Sequence, residues 1–283
     1  MDLVDVHVGR PVTRGGLSLF PIWSGTAVTS PGYAVHAAEV SVAERPDTPS
    51  VAELEVTNSG SKPALVLEGE LLEGGWQHRV ATQSALVAAN AQVVLPVRCV
   101  EQGRWGNGGG GHARRGRHAP VVVRAAEGQG AVWERVSRYE DRHGGTDTHS
   151  LLAATDRVEQ AAAALVAGLS PLPFQTGVLI GIGGQPVSLE VFDSPRTLAQ
   201  VWGGLVHAAA VDAVSAAPVA TPGRRARRFA AQVATVAVAP EPGAGLGASG
   251  RARSPYVVLS VLVWRGRAVH IVAINPRHEL VAT

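Results

Sequence analysis

Two stretches of the chain gather most of the side chains suited to chemistry. "LEGELLEGGWQHRV" (67–80) supplies Glu68, Glu70, Glu73, Gln77, His78 and Arg79; "PVRCVEQGRW" (96–105) supplies the sole cysteine, Cys99, with Glu101, Arg104 and Trp105. Each set falls where an apolar run meets a turn. Glu70 and Glu101, brought close together, would push one pKa upward and act as a general acid and base. If Arg79 and Arg104 lie beside them, the same four residues make an inert ion-pair network. A third reading is recognition, because guanidinium forks bind phosphate or carboxylate bidentately. Trp105 would then offer a stacking face to a nucleobase or sugar ring, while Gln77 and His78 would contact the ligand or a turn backbone. Trp76 and Trp105 also read as core, the usual place of large aromatics on strand ends.

Cys99 would be a nucleophile only if a basic partner lowered its thiol pKa. Its apolar approach, "VVLPV", points instead to burial. No metal and no cofactor is expected. His112, His118, His143 and His149 fall in glycine- or arginine-rich segments without the i, i+4 spacing of a helical metal site. No spacing rule joins Glu70, His78 and Glu101. "GIGG" (181–184) lacks the following helix and third glycine of a dinucleotide fingerprint. "RRGR" (114–117) and "RRARR" (224–228) read as solvated charge, so a nucleic-acid partner ranks last.

Composition sets the frame. The 283 residues are 46% hydrophobic and 17% charged, with a formal net charge of +2, as in a folded chain rather than a disordered one. One cysteine excludes an intramolecular disulfide and suits a reducing compartment. The N-terminal "MDLVDVHVG" has acids where a secretory signal needs an apolar core, and "YVVLSVLVW" is too short to span a bilayer. A cytoplasmic protein without a membrane partner is the expectation. Lys62 is the only lysine, and the arginine excess accompanies heavy Ala, Gly and Val use, so it is discounted as a functional signal.

The elements that must position these residues begin as strands. "LVDVHVG" and "AELEVTN" alternate apolar and polar residues. "KPALVLEGELLEGG" reads as an apolar strand, and "HRVATQSALVAANAQVVLPVRCVE" as two or three more. Short strands at this spacing predict an antiparallel sandwich or barrel. Residues 106–119 read as a mobile loop, "APVVVRAA" as a strand, "GAVWERVSRYEDR" as a helix, and "SLLAATDRVEQAAAALVAGL" as one longer helix. Beyond it, "TGVLIGIGGQPVSLEVFDS" predicts a hairpin turning at Gly183–Gly184. "SPRTLAQVWGGLVHAAAVDAV" predicts a helix with Ser194 as N-cap and Pro195 at its first position. "QVATVAVAP" reads as a strand, "EPGAGLGASGRARSP" as a flexible loop, and "PYVVLSVLVWRGRAVHIVAIN" as a final hairpin. The class is therefore α+β, β-rich in the N-terminal half, with helices and hairpins in the C-terminal half. It reads as a single domain over 1–283, with lobes at 1–125 and 126–283.

At the two polar stretches the chain resembles the ADP-ribosylglycohydrolase- and rhodanese-phosphatase-associated domain family. "GELLEGGWQHR" matches its G-E-x-L-x-G-x-x-Q-N-R signature at Gly69, Glu70, Gly74, Gln77 and Arg79, and "CVEQGRW" matches throughout. His78 departs from the family's asparagine, and the glycine-rich insertion after Trp105 from its more ordinary loop. The resemblance implies a phosphorylated ligand of nucleotide or ADP-ribose type, and an ADP-ribose-metabolising partner protein. On this reading Glu70 or Glu101 serves as general base, while Gln77, His78, Arg79, Arg104 and Trp105 bind the ligand. The alternative is a non-catalytic binding or scaffold module beside a partner enzyme.

Overall fold

The computed structural model of the chain describes residues 6–105 and 111–282. The chain divides into two compact units, one of residues 1–31, 161–243 and 247–283, the other of 32–160 and 244–246. The first unit opens with β1 (Val6–Val8), β2 (Val12–Arg14) and β3 (Leu17–Ser24). The second is then built from β4 (Ala34–Val35), β5 (Val40–Ala43), β6 (Glu53–Asn58), β7 (Ala64–Val66), β8 (Glu70–Gly74), β9 (Arg79–Ala81), β10 (Ala85–Val87), β11 (Ala91–Cys99) and β12 (His112–His118). Three helices follow: α1 (Val121–Arg124), α2 (Gln129–His143) and α3 (Leu151–Asp156). After α4 (Glu159–Val166), the first unit is completed by β13 (Gly177–Ile182), β14 (Gln185–Phe192), α5 (Pro195–Ala213), α6 (Gly223–Thr235), β15 (Ala239–Glu241), β16 (Ala248–Arg253), β17 (Val258–Trp264) and β18 (Arg267–Ile274).

The first unit is an antiparallel sheet ordered β1-β3-β13-β14-β18-β17-β16-β15, with β2 added beside β3. The predicted β13–β14 hairpin turns at Gly183 and Gly184, both at positive φ. Every residue of β13 is buried, so both faces of that strand are covered. Ala226, Phe229, Ala230 and Val233 of α6 pack into a core with Phe20, Ile22, Leu189, Leu259 and Ile271, while the helix's arginines at 224, 225, 227 and 228 are exposed. Ser194 caps α5 as expected, its hydroxyl accepting from the Arg196 N–H at 3.2 Å with Pro195 next in line.

The second unit holds the β-rich N-terminal half. Six strands close into a barrel in the order β11-β6-β5-β12-β8-β9, and β10-β7-β4 form a small separate sheet. Closure removes the exposed edges that an open sheet would leave. Period-two alternation fills the barrel: Val42, Leu54, Val56, Leu72, Ala81, Leu95 and Val97 meet in one core cluster.

Local reading failed at several segments. Residues 106–110 of the expected loop lie outside the described residues, but 112–118 form β12, antiparallel to β8. Inward charges on this strand meet carboxylates from distant elements, so its polarity does not forbid a strand. "APVVVRAA" yields the short helix α1, because Val121, Val122 and Val123 are all buried where Pro120 starts a turn, and burial overrides β-branched preference. The single helix expected over 150–169 breaks into α3 and α4 around Arg157–Val158. "KPALVLEGELLEGG" is two strands, separated at Gly69, which sits at φ +85°. α6 absorbs "QVAT", leaving β15 to start at Ala239, and "ASGRAR" forms β16 rather than a loop.

Candidate functional site

The expected site residues Glu70, Gln77, His78, Arg79, Glu101, Arg104 and Trp105 all lie in the barrel unit. At one end of the barrel, β8 leaves through Gly74 and returns at Arg79, β11 ends at Cys99, and β12 begins at His112 directly across from Gly74. Alternation places Arg79 on the inward face with Ala81, and Cys99 with Leu95 and Val97; His112 faces inward with its partner Val42. Glu44, immediately after β5, completes the ring.

The turn between β8 and β9 is latched by Glu101. One carboxylate oxygen accepts from Arg104 Nε at 3.0 Å, from Arg104 Nη2 at 2.6 Å and from the His78 N–H at 3.1 Å; the other accepts from the Thr148 hydroxyl at 3.0 Å. Arg104 also donates to the Gly75 carbonyl at 2.8 Å, and Gln77 Nε2 to the Glu101 carbonyl at 2.9 Å. Gly75 is dictated by close approach: at φ +54°, a Cβ there would sit 2.1 Å from the His112 ring. Burial alone would raise the Glu101 pKa; the Arg104 and His78 hydrogen bonds and the neighbouring positive charge outweigh it and hold the carboxyl below its usual range. Replacing Glu101 with glutamine leaves Arg104 facing a group that cannot pair with it. We expect a loss of about 2–3 kcal/mol, reduced from a fully buried case because Arg104 keeps about a third of its surface in water. Denaturant unfolding of Glu101→Gln checks this.

Glu70 stands elsewhere. It begins β8, four residues before Gly74, so roughly 13 Å of strand separates it from the Glu101 latch. Its two oxygens accept from Arg114 Nε and Nη2 at 2.8 and 3.0 Å, and the Leu67 N–H at 3.2 Å adds a third donor. The structure therefore brings Gln77, His78, Arg79, Glu101, Arg104 and Trp105 together and sets Glu70 apart with a different arginine from either expected.

Arg79 is the unusual member. Its side chain is wholly buried, and among the described residues Nε, Nη1 and Nη2 have no hydrogen-bond partner. The nearest carboxylate oxygen, Glu44 Oε1, stands at 3.6 Å, beyond hydrogen-bond reach. Burial lowers the Arg79 pKa against the opposing pull of Cys99 and Glu44, yet a guanidinium keeps its charge. The half-exposed Trp105 ring lies over it at 5.9 Å and meets Trp76 edge-on at 5.2 Å. Two acceptors nearby are also orphaned: Glu44 Oε2 and Gln77 Oε1. Cys99 is fully buried, its thiol donating to the Glu101 carbonyl at 3.1 Å, and burial pushes its pKa up. That is the environment of an inert thiol.

Sequence reasoning missed Glu44 and His112. His112 Nε2 lies 3.2 Å from Glu44 Oε1, and Nδ1 3.3 Å from the Leu72 carbonyl. Neither residue carries a local signal; the chain between 45 and 111 must fold before they meet. Among the described residues, no three His, Cys, Asp or Glu side chains converge to hold a metal ion.

Burial lowers the pKa of both His78 and His112, against the pull of Glu101 and of Glu44 respectively. The unfolded chain then takes up protons first, near 6.5 for each histidine and near 4.5 for Glu101. Stability is full above 6.5 and falls with pH through the histidine range, then again below the ordinary carboxylate range. Melting curves from about pH 8 to about pH 4 are expected to decline in that order. His78→Asn should remove part of the first decline without unfolding the protein. An asparagine oxygen can replace His78 Nδ1 as acceptor for the Gly74 N–H, now at 2.9 Å.

The fold and this end of the barrel define an α+β protein with a closed six-stranded barrel and a ring of buried charged groups at its mouth. The chain belongs to the ARG and Rhodanese-Phosphatase-superfamily-associated Protein domain family, whose model matches residues 5–274. Among curated proteins and among solved structures, nothing matches the chain. No helix among the described residues is long and apolar enough to cross a membrane.

Proposed function

We propose that the barrel mouth is a binding site for a nucleotide- or ADP-ribose-type small molecule, and that the protein holds this ligand beside a partner enzyme rather than transforming it. The observation that carries this reading is Arg79, a fully buried guanidinium whose N–H groups have no hydrogen-bond partner among the described residues, lying under a half-exposed tryptophan. Such a group is costly to bury and is rarely left unsatisfied without a use. Trp105 offers a face for a ring, and Gln77 and Glu44 each offer a spare acceptor. The family's name, which joins ARG and rhodanese-phosphatase proteins, supports ligand and partner chemistry of this kind. On this reading the partner is an ADP-ribose-metabolising or phosphatase-type enzyme.

The carboxylates support holding over turnover. Glu101 takes four donors, three of them on one oxygen, and its pKa is held below the usual carboxylate range; Glu70 is pinned bidentately inside the barrel. A general base needs a free lone pair and a pKa near the working pH. His78 has Nδ1 engaged by Gly74, and its Nε2 stands 3.6 Å from Glu101.

Tryptophan fluorescence tests the proposal. Titrating wild type and Arg79→Met with ADP-ribose, AMP and GMP should give saturable quenching for at least one ligand in wild type and none in the variant. Chromatography of the same samples should recover the ligand intact. A wild type that responds to none of them, or that converts one to product, would overturn the reading.

A further inference from the structure

We infer that the barrel mouth reads the base of its ligand, not the phosphates, and that the base it fits is a 6-oxopurine such as guanine or hypoxanthine. This rests on the reading of the mouth as a ligand site and narrows it. The first ground is charge. Two guanidiniums, Arg79 and Arg104, are matched by two carboxylates, Glu44 and Glu101, within 3.6 Å of one or the other. His78 and His112 are driven towards their neutral forms by burial. Arg117, whose charge His78 also feels, is paired with Asp156 at 2.7 Å. A balanced mouth has no surplus positive charge for a phosphate or pyrophosphate, and Glu44 would repel one from Arg79's side.

The second ground is the pattern of orphaned atoms. Arg79 presents free donors on Nε, Nη1 and Nη2; Glu44 Oε2 and Gln77 Oε1 are free acceptors. Gln77 cannot turn its donor inward without giving up the Glu101 carbonyl. A complementary group must accept from a fork on one edge and donate from an adjacent edge. A phosphate accepts only. A 6-oxopurine supplies O6 and N7 side by side for the guanidinium, with N1–H, and in guanine the 2-amino group, for the two acceptors. Adenine places its amino group where the fork needs an acceptor.

The third ground is the aromatic cover. Trp105 is the half-exposed residue over Arg79, with Trp76 against its edge. A base held edge-on by the guanidinium cannot also lie between it and Trp105, so the half-exposed ring would leave its cation–π contact and stack on the face of the base, a contact indifferent to phosphate.

Calorimetric titration of the full chain with guanosine, GMP, adenosine, ADP-ribose and inorganic pyrophosphate tests this. Guanosine should bind within about threefold of GMP, adenosine at least about tenfold more weakly, and pyrophosphate should give no saturable heat, in line with the discrimination of a bidentate arginine contact. Glu44→Gln, verified as folded by its melting curve, should weaken guanosine binding by about tenfold or more. If ADP-ribose or adenosine binds more tightly than guanosine, or pyrophosphate matches GMP, the base assignment is wrong while the ligand site stands. If none of the five binds, the assignment and the site fall together.

Discussion

Replacing Glu70 with glutamine is expected to lower the thermal midpoint by on the order of 10 °C. The estimate combines about 3–5 kcal/mol for stranding one member of a buried ion pair with about 2–4 °C per kcal/mol for a chain of this size. Glu70 and Arg114 are 1% and 6% exposed at the side chain, and both carboxylate oxygens are used. Glutamine keeps one acceptor but sets an amide N–H against a guanidinium whose ion pair, among the described residues, is with Glu70. Arg114 Nη2 would retain the Leu65 carbonyl at 3.0 Å, which satisfies one donor and no charge. Calorimetry of the variant reads this directly. Replacing both residues with apolar ones of like volume should recover much of the loss, because the penalty comes from the uncompensated charge. A single-variant loss under about 1 kcal/mol would place the pair among contacts of surface strength.

Arg79→Met should act in the opposite direction. Among the described residues the guanidinium is buried as deeply as any side chain, yet no hydrogen bond repays its desolvation. Methionine fills a comparable volume without charge, so we expect the variant to melt at or above wild type, by as much as about 1–3 kcal/mol. Glu44 would keep His112 Nε2 at 3.2 Å and the Trp76 N–H at 3.4 Å, and losing the Arg79 charge that helps lower the His112 pKa lets that imidazole take up the proton that pairs with Glu44. The cation–π contact with Trp105 is lost, a smaller term. Stability gained together with ligand binding lost is what distinguishes a residue kept for function from one kept for the fold. Urea unfolding of the two proteins compares them; a clear fall in the variant's midpoint would assign Arg79 to architecture.

These contrasts show how far local patterns reach. The meeting of the two polar stretches was legible, because β9 and β11 lie close in sequence with only β10 between them, and their pairing carries Arg79 to Cys99 and the turn to Glu101. Alternation in "AELEVTN" likewise announced an inward face. The partnership of Glu70 was not legible. Which end of β8 it occupies, and that Arg114 reaches it from a segment resembling a basic loop, depends on closure of the barrel between β5, β12 and β8. Glu44 and His112 are hidden for the same reason. Periodicity reports which face a residue takes, but says nothing about which distant charge waits there.

The crystal structure of the protein grown with GMP tests the central claim most directly. The account predicts the purine against Trp105, with O6 and N7 within about 3 Å of the Arg79 guanidinium and its N–H edge on Glu44 and Gln77. A bound nucleotide found elsewhere, with Arg79 still unpartnered beneath Trp105, would contradict it.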